Sequence, residues 1–223
     1  MRALRRLLPV LGAILAVACV TARPLPPLTP IPRDEMIGMS EVVGSQAAFE
    51  RWLQADVART QSFARFEAAL QRQGVSNVVP NFQLWRSDQI DPVCATSGFV
   101  EPPERDWANI VATLRILRDE VIPTVGPLNV ESGYRDPAFN ACIHGAQRSA
   151  HVGFEALDIT PVNRAVTREL LIAMLCPLHA REGARLQMGL GVYAGRRFHV
   201  DARSYRGWGP DYHRTTFPCA ADE

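Results

Sequence analysis

The spacing of apolar residues changes midway along the chain, and this change most constrains the fold. Residues 46–73 carry apolar side chains at helical spacing among Arg, Glu and Gln, which predicts one long helix or two short ones. Residues 106–123 carry a second helical repeat, with Asp106 as the expected N-cap and Pro123 as its end. The apolar positions of the two repeats are Phe49, Trp52, Leu53, Val57, Phe63, Phe66 and Leu70, then Ile110, Leu114, Leu117 and Val121.

Short apolar or alternating segments replace the helical repeat in the second half, and each is typical of a strand. The last two are separated by a tight turn at Ala194-Gly195, which indicates an antiparallel hairpin. One helical stretch, residues 166–176, interrupts the series. We therefore predict an α+β fold, with N-terminal helices followed by a small, mainly antiparallel sheet. The strand segments are residues 127–135, 155–160, 185–193 and 196–203.

The N-terminal part of the chain has the features of an export signal and a tether. Residues 1–18 have an arginine-rich start and an apolar run too short to span a membrane. Cys19 follows a small residue, which fits either lipid attachment at Cys19 or ordinary signal cleavage nearby. Residues 19–40 contain repeated X-Pro steps that favour extended chain. We expect a signal at 1–18, a proline-rich tether at 19–40 and one domain at 41–223.

Composition excludes several kinds of chemistry. The chain has 223 residues, with 24 basic against 23 acidic side chains, so its charge gives no reason to expect a nucleic-acid partner. Every basic residue is arginine. Without lysine there is no Walker phosphate loop, no pyridoxal Schiff base and no Ser-x-x-Lys acyl-enzyme. We expect a monomer with a single domain of catalytic size.

Four cysteines remain if Cys19 carries lipid, and an even number fits two disulfides in an oxidising compartment. Four cysteines allow three pairings, of which we favour Cys94 with Cys142 and Cys176 with Cys219. Buried free thiols are the alternative interpretation.

His151, Asp158 and His199 are the candidate metal ligands. Imidazole nitrogen and carboxylate oxygen suit Zn²⁺, and three protein ligands leave a fourth position for water. Histidines in a core or on a surface are commoner than ligands, so these residue types alone do not establish a site. His144, His179 and His213 have no comparable spacing partner, and for them a core or surface role is favoured.

Three motifs in a fixed order strengthen the metal interpretation. They are Ser132-Gly133-Tyr134-Arg135, Ser149-Ala150-His151 running to Asp158, and His199-Val200-Asp201. This combination, over about residues 105–210, resembles the zinc D-Ala-D-Ala carboxypeptidases and related murein peptidases of the LAS type in peptidase family M15, with an extensin-like C-terminal subgroup as one option. The resemblance implies one zinc held by His151, Asp158 and His199 on a small antiparallel sheet of the Hedgehog/DD-peptidase-like kind.

The resemblance also implies roles beside the metal. Arg135 would bind the scissile carbonyl or the terminal carboxylate of a peptide and stabilise a developing oxyanion. Its alternative is a salt bridge to Asp136 or Glu131. Tyr134 and Ser149 would contact substrate, Ser149 as a hydrogen-bond donor rather than a nucleophile, because the metal supplies the attacking group.

Two departures from the family pattern affect the interpretation. Phe154 stands where relatives usually have glycine, so the usual backbone conformation would carry a cost. Many relatives have a carboxylate two or three residues before the last histidine as general base, whereas this chain has Arg196 and Arg197 there.

Asp201 is the best local substitute for that base, since residues i and i+2 of a strand face the same side. It would either accept the proton of the attacking water or only orient His199. Glu155 should point away from Asp158, and Glu182 is expected in a loop.

Three hypotheses follow for an exported protein of the bacterial periplasm or outer membrane. The first is a zinc peptidase of D,D-carboxypeptidase or endopeptidase type acting on peptidoglycan stem or cross-link peptides. The second is a catalytically silent, zinc-containing murein-binding lipoprotein. The third, a structural envelope domain, leaves the ordered His, Asp and His unexplained.

Overall fold

Two short helices, rather than one long helix, form from the first apolar repeat. In the computed structural model, which describes residues 44–87, 93–94 and 98–220, α1 spans Gln46–Gln54 and α2 spans Val57–Arg72. Asp56 separates them, because its carboxylate accepts hydrogen bonds from the first backbone N–H groups of α2 and so begins a new helix. The chain divides into two units, Met1–Pro32 and Arg33–Glu223, and every described residue lies in the second. The predicted signal and tether lie outside the described residues.

Aromatic rings join these two helices to the segment that follows them. Phe49 of α1 packs edge-on against Phe63 of α2, with ring centroids 4.8 Å apart. Trp85, at the end of a 3₁₀ turn spanning Asn81–Trp85, is fully buried and lies 5.5 Å from the ring of Phe66. The first apolar repeat therefore forms a helical layer with an aromatic core.

The second helical repeat begins and ends later than predicted and is less regular. Asp106 ends a 3₁₀ turn, Glu104–Asp106, and does not cap the helix. Helix α3 spans Ile110–Ile116, a π-helical turn spans Leu117–Val121, and α4 spans Ile122–Val125. Pro123 does not end the helical run, because it lies in the first turn of α4, where a missing backbone N–H is tolerated.

Five strands form one sheet, in the order β1-β2-β4-β3-β5. All neighbouring pairs are antiparallel except β3 and β5, which are parallel. The hairpin between β3 and β4 confirms the prediction from Ala194-Gly195, and the α+β class is also confirmed. Strand β5 was not predicted. The strands are Leu128–Ser132, Ala156–Pro161, Gly189–Val192, Phe198–Asp201 and Arg206–Trp208.

Alternation along the strands gives the sheet two different faces. Leu157, Ile159, Phe198 and Val200 are fully buried in the hydrophobic core, and α3 packs against β2 and β4. Because successive side chains point to opposite faces, the residues between them point away from that core. The polar face of β2 and β4 is therefore the one available for a site.

The last helix, α6, spans Arg168–Leu186, whereas residues 166–176 were predicted. Thr167 caps its start, and Pro177 lies within the helix instead of ending it. Glu182 therefore lies on a helix and not in a loop. The short helix α5, Pro137–Cys142, precedes the loop that leads to β2. Within the described residues, no helix has the length and apolar character needed to cross a membrane.

Both favoured disulfides are confirmed. Cys94 is bonded to Cys142, and Cys176 of α6 is bonded to Cys219 near the C-terminus. Disulfides of this kind are typical of proteins that fold outside the cytoplasm.

Candidate metal centre

Three side chains from different parts of the chain converge on the polar face of the sheet. Asp158 in β2 and His199 in β4 are directly opposite each other in the antiparallel register, so their side chains share a face. His151 reaches the same place from the loop between α5 and β2. The ligand atoms of the three residues all lie within 4.8 Å of one another.

The distances define which atoms face the shared point. Asp158 Oδ1 lies 3.0 Å from His199 Nδ1 and 3.4 Å from His151 Nε2. The two imidazole nitrogens, His151 Nε2 and His199 Nδ1, are 3.2 Å apart. All three residues are at most 4% exposed. The group is therefore compact and shielded from solvent.

Hydrogen bonds behind the histidines determine which ring nitrogen is free to bind a cation. His151 Nδ1 lies 2.8 Å from the carbonyl oxygen of Gly133, which can only accept, so Nδ1 donates and Nε2 has the lone pair. His199 Nε2 lies 2.8 Å from Asp201 Oδ2, so in the neutral imidazole Nε2 donates and the lone pair is on Nδ1. Two lone pairs and a carboxylate then face one point, an arrangement that a cation satisfies. The donor set of two nitrogens and one oxygen fits zinc.

Asp158 is held in its ionised form by its neighbours. Arg197 Nη2 lies 2.5 Å from Asp158 Oδ2, Arg135 Nη2 lies 3.5 Å from the same oxygen, and the Tyr193 hydroxyl donates to Oδ1 over 3.1 Å. Burial alone would raise the pKa of Asp158, but the Arg197 charge and the histidines bring that pKa well below its usual value. Asp158 is therefore available as an anionic ligand.

The pKa values of the two buried histidines shift in opposite directions. Burial lowers the pKa of His151 below the usual value, which favours the neutral imidazole that a metal requires. For His199, burial also lowers the pKa, but hydrogen bonds to Asp158 and Asp201 outweigh it and raise the pKa. Binding of a cation through His199 must therefore displace a proton, as is usual for metal sites.

Asp201 lies behind His199 and not beside the shared point. It is fully buried, bonds His199 Nε2, and receives hydrogen bonds from both terminal nitrogens of Arg206 and from the Arg203 backbone. Burial would raise the pKa of Asp201, but the bonds to His199 and Arg206 lower that pKa to about 2. Of the two roles left open by the sequence, this geometry favours orientation of His199. Gly189 makes room for it, since a Cβ there would lie 2.5 Å from Asp201 Oδ2.

Strand β5 completes the support of His199. The Trp208 ring lies against His199, with centroids 4.9 Å apart, and the Arg206 guanidinium lies over the Trp208 ring at 5.1 Å. Sequence reasoning missed this strand because three residues are too few to show a period.

The predicted residues beside the metal occupy different surroundings. Arg135 Nη2 lies 3.5 Å from Asp158 Oδ2, and the backbone N–H of Arg135 donates to the carbonyl of His151. The hydroxyl of Ser149 accepts from the backbone N–H of His151 over 3.3 Å, so it steadies the ligand loop. Tyr134 is 6% exposed and belongs to the core, which leaves little of its ring for a peptide.

Phe154 takes the backbone conformation that glycine would have. Its φ is +54°, in the left-handed region, and its side chain is fully buried against Phe66 and Tyr134. The expected strain of ~1 kcal/mol or more is therefore present, but burial of a phenylalanine ring contributes ~1.5–3 kcal/mol in the opposite direction.

The remaining acids and histidines considered above lie outside the centre. Glu155 pairs with Arg203 at 3.0 Å, and Glu182 pairs with Arg185 at 2.7 Å on α6. His179 is buried against Tyr205, with Nε2 3.1 Å from the carbonyl of Met188, while His144 and His213 are exposed.

Arg197 and Tyr193 are the site residues that sequence reasoning missed. Alternation along β4 could have found Arg197, because it lies two residues before His199 and so faces the same side. Tyr193 follows β3, and burial raises the pKa of its hydroxyl, which keeps it a hydrogen-bond donor to Asp158.

Comparison with known proteins agrees with this geometry. The model of the Peptidase M15 family matches residues 84–186, a stretch that includes Arg135, Ser149, His151 and Asp158. No curated protein and no solved structure matches the chain. His199 lies beyond the matched stretch, and the register of β2 with β4 brings it to the other two ligands. The stretch of residues 84–186 is therefore similar to peptidase family M15.

Proposed function

We propose that this protein is a zinc peptidase that hydrolyses peptidoglycan stem or cross-link peptides, of D,D-carboxypeptidase or endopeptidase type. The match of residues 84–186 to the family model supports a hydrolase that acts on peptides. The observation that carries the proposal is the convergence of His151 Nε2, Asp158 Oδ1 and His199 Nδ1 on one point. One zinc ion, when bound there, supplies a Lewis acid and a water that is activated near neutral pH.

Residues beside the candidate metal ligands would bind the substrate and position the ligands. We assign to Arg135 the binding of a substrate oxygen, either the scissile carbonyl or a terminal carboxylate. A guanidinium has five N–H donors, so the contact with Asp158 is compatible with a further contact to substrate. Ser149 holds the backbone of His151, and Asp201 holds the ring of His199.

Mass spectrometry of muropeptides after incubation with the zinc-loaded protein tests the proposal. Loss of one terminal alanine would identify a carboxypeptidase, and conversion of cross-linked dimers to monomers would identify an endopeptidase. The matched control is the same protein with His151, Asp158 and His199 replaced by alanine. Unchanged muropeptides with a fully zinc-loaded wild type would contradict the proposal.

A zinc-containing murein-binding protein without turnover is the second candidate. The observation that favours it is Arg197, which occupies the polar face beside Asp158 where a carboxylate base would be useful. Such a protein would retain muropeptides in a binding assay and release them unchanged.

We also propose export to the bacterial periplasm or outer membrane, with a lipid on Cys19 as one form of anchorage. The two disulfides support export. Mass analysis of the mature N-terminus from cells distinguishes a lipidated Cys19 from simple cleavage.

Asp201→Asn is expected to weaken zinc binding about 10- to 100-fold, because an amide no longer favours the tautomer of His199 that binds through Nδ1. Competition with a chromophoric zinc chelator measures the affinity. Glu155→Gln is the matched control, since Glu155 pairs with Arg203 and should leave affinity unchanged. Unaltered zinc affinity together with a large loss of turnover would instead identify Asp201 as the base.

A further inference from the structure

Hydrolysis by an activated water needs a group that accepts the proton of the water, and the described strands contain three acids. Asp158 is engaged as a ligand, with two arginines on its other oxygen. Asp201 is fully buried behind His199. Glu131 in β1 is the third.

Glu131 reaches the same face of the sheet as the metal ligands. Thr160 lies two residues after Asp158 in β2, so both side chains point to that face. The Thr160 hydroxyl donates to Glu131 Oε1 over 2.7 Å, which places the Glu131 carboxylate on that face as well. Val130, the residue before Glu131, is fully buried in the core.

The pairing of β1 with β2 places Glu131 near the strand that contains the candidate ligand Asp158. The register of β1 with β2 shifts between Val130, which is opposite Ile159, and Ser132, which is opposite Asp158. Glu131 is the extra residue at this bulge, and bulges re-aim side chains. Its carboxylate lies beside Thr160, on the face of the sheet that also contains Asp158 and His199.

We propose, on the basis of the proposed peptidase function, that Glu131 is the terminal proton acceptor and that Thr160 relays the proton to it. The attacking water gives a proton to Thr160 Oγ1 while Thr160 gives its own hydroxyl proton to Glu131. The hydroxide adds to the peptide carbonyl, and the C–N bond then breaks. Glu131 returns the proton through Thr160 to the leaving amine, so one water is consumed and no other reactant is required.

The surroundings of Glu131 leave its carboxylate available as a proton acceptor. Glu131 is half-buried and keeps an electrostatic interaction with Arg86, whose guanidinium is held by the carbonyls of Gly44 and Val130. On the other side, Thr160 is the residue that contacts it. Glu131 therefore differs from Glu155, which pairs directly with Arg203.

The test is steady-state kinetics on a purified muropeptide with zinc-loaded Glu131→Gln, using Glu155→Gln as the matched control. Glu131→Gln should lower kcat by about 10²-fold or more, the usual scale for a lost general base. It should leave KM and the zinc content unchanged. Glu155→Gln should match wild type in all three measurements.

Two variants of Thr160 separate relay from structural support. Thr160→Val has nearly the same shape but no hydroxyl and should lower kcat, whereas Thr160→Ser should restore it. If Glu131→Gln misfolds and loses zinc, the kcat values of Thr160→Val and Thr160→Ser test the relay instead.

Three outcomes would overturn the role. If the wild type is active and Glu131→Gln has the same kcat, the role of Glu131 is overturned while the proposed function stands. If Glu131→Gln misfolds, an unchanged kcat of Thr160→Val has the same meaning. A raised KM at unchanged kcat would show that Glu131 binds substrate instead. A zinc-loaded wild type that leaves muropeptides intact would overturn the proposed function itself, and this role with it.

Discussion

Replacing His151, Asp158 and His199 together by alanine is expected to abolish stoichiometric zinc binding. Structural zinc sites in zinc-finger peptides bind with apparent free energies of about 10–16 kcal/mol, so protein ligands account for tight zinc binding. The variant removes every residue of the candidate ligand group. The same change should abolish peptide hydrolysis. Metal analysis of the dialysed protein gives zinc per chain directly.

The control for this variant is His144→Ala combined with His213→Ala. Both histidines are exposed, so the pair tests loss of surface imidazole without touching the centre. It should retain one zinc per chain. Zinc retention by the triple variant at the wild-type level would show that the ligand set is wrong.

Phe154→Ala is expected to lower the free energy of unfolding by about 3–5 kcal/mol, because the ring is fully buried between Phe66 and Tyr134. Phe154→Gly should be less harmful than Phe154→Ala by roughly 1 kcal/mol, since glycine adopts a φ of +54° without strain. Urea unfolding of the zinc-free, disulfide-intact protein measures both values.

The opposite order is expected at Phe66, which is equally buried but lies inside α2. There glycine should cost about 1 kcal/mol more than alanine, as it does within helices generally. If glycine is also the worse substitution at position 154, the left-handed backbone there does not contribute strain.

The sequence predicts the metal-bearing part of the fold well, because period-2 alternation is a local signal. Alternation in β2 and β4 places Asp158 and His199 on the polar face, and the Ala194-Gly195 turn gives the hairpin. The loop position of His151 came only with the family resemblance. The pairing of β5 with β3 could not be predicted, because it is a parallel pairing between segments that are not joined by a tight turn.

Helix boundaries were predicted less well than helix positions. Pro123 is the predicted end of one helix and residue 176 the predicted end of another, yet Pro123 and Pro177 both lie within helices. The π turn before Pro123 and the packing of Leu178 and His179 behind Pro177 are tertiary effects that local rules do not include. Similarly, alternation predicts that Asp201 lies on the same face as His199, but it does not predict that the Asp201 carboxylate bonds His199 Nε2.

The disulfide between Cys176 and Cys219 joins α6 to a segment that is synthesised near the end of translation. A ribosome delivers the helical layer and His151 first, while His199, its support from Arg206 and Trp208, and the closing cysteine come within the last quarter of the chain. The last residue of the candidate metal centre is thus synthesised late, and the disulfide that follows it in the chain forms only where an oxidant is present. A chain whose thiols are reduced therefore lacks the cross-link between α6 and the segment that follows His199, Arg206 and Trp208.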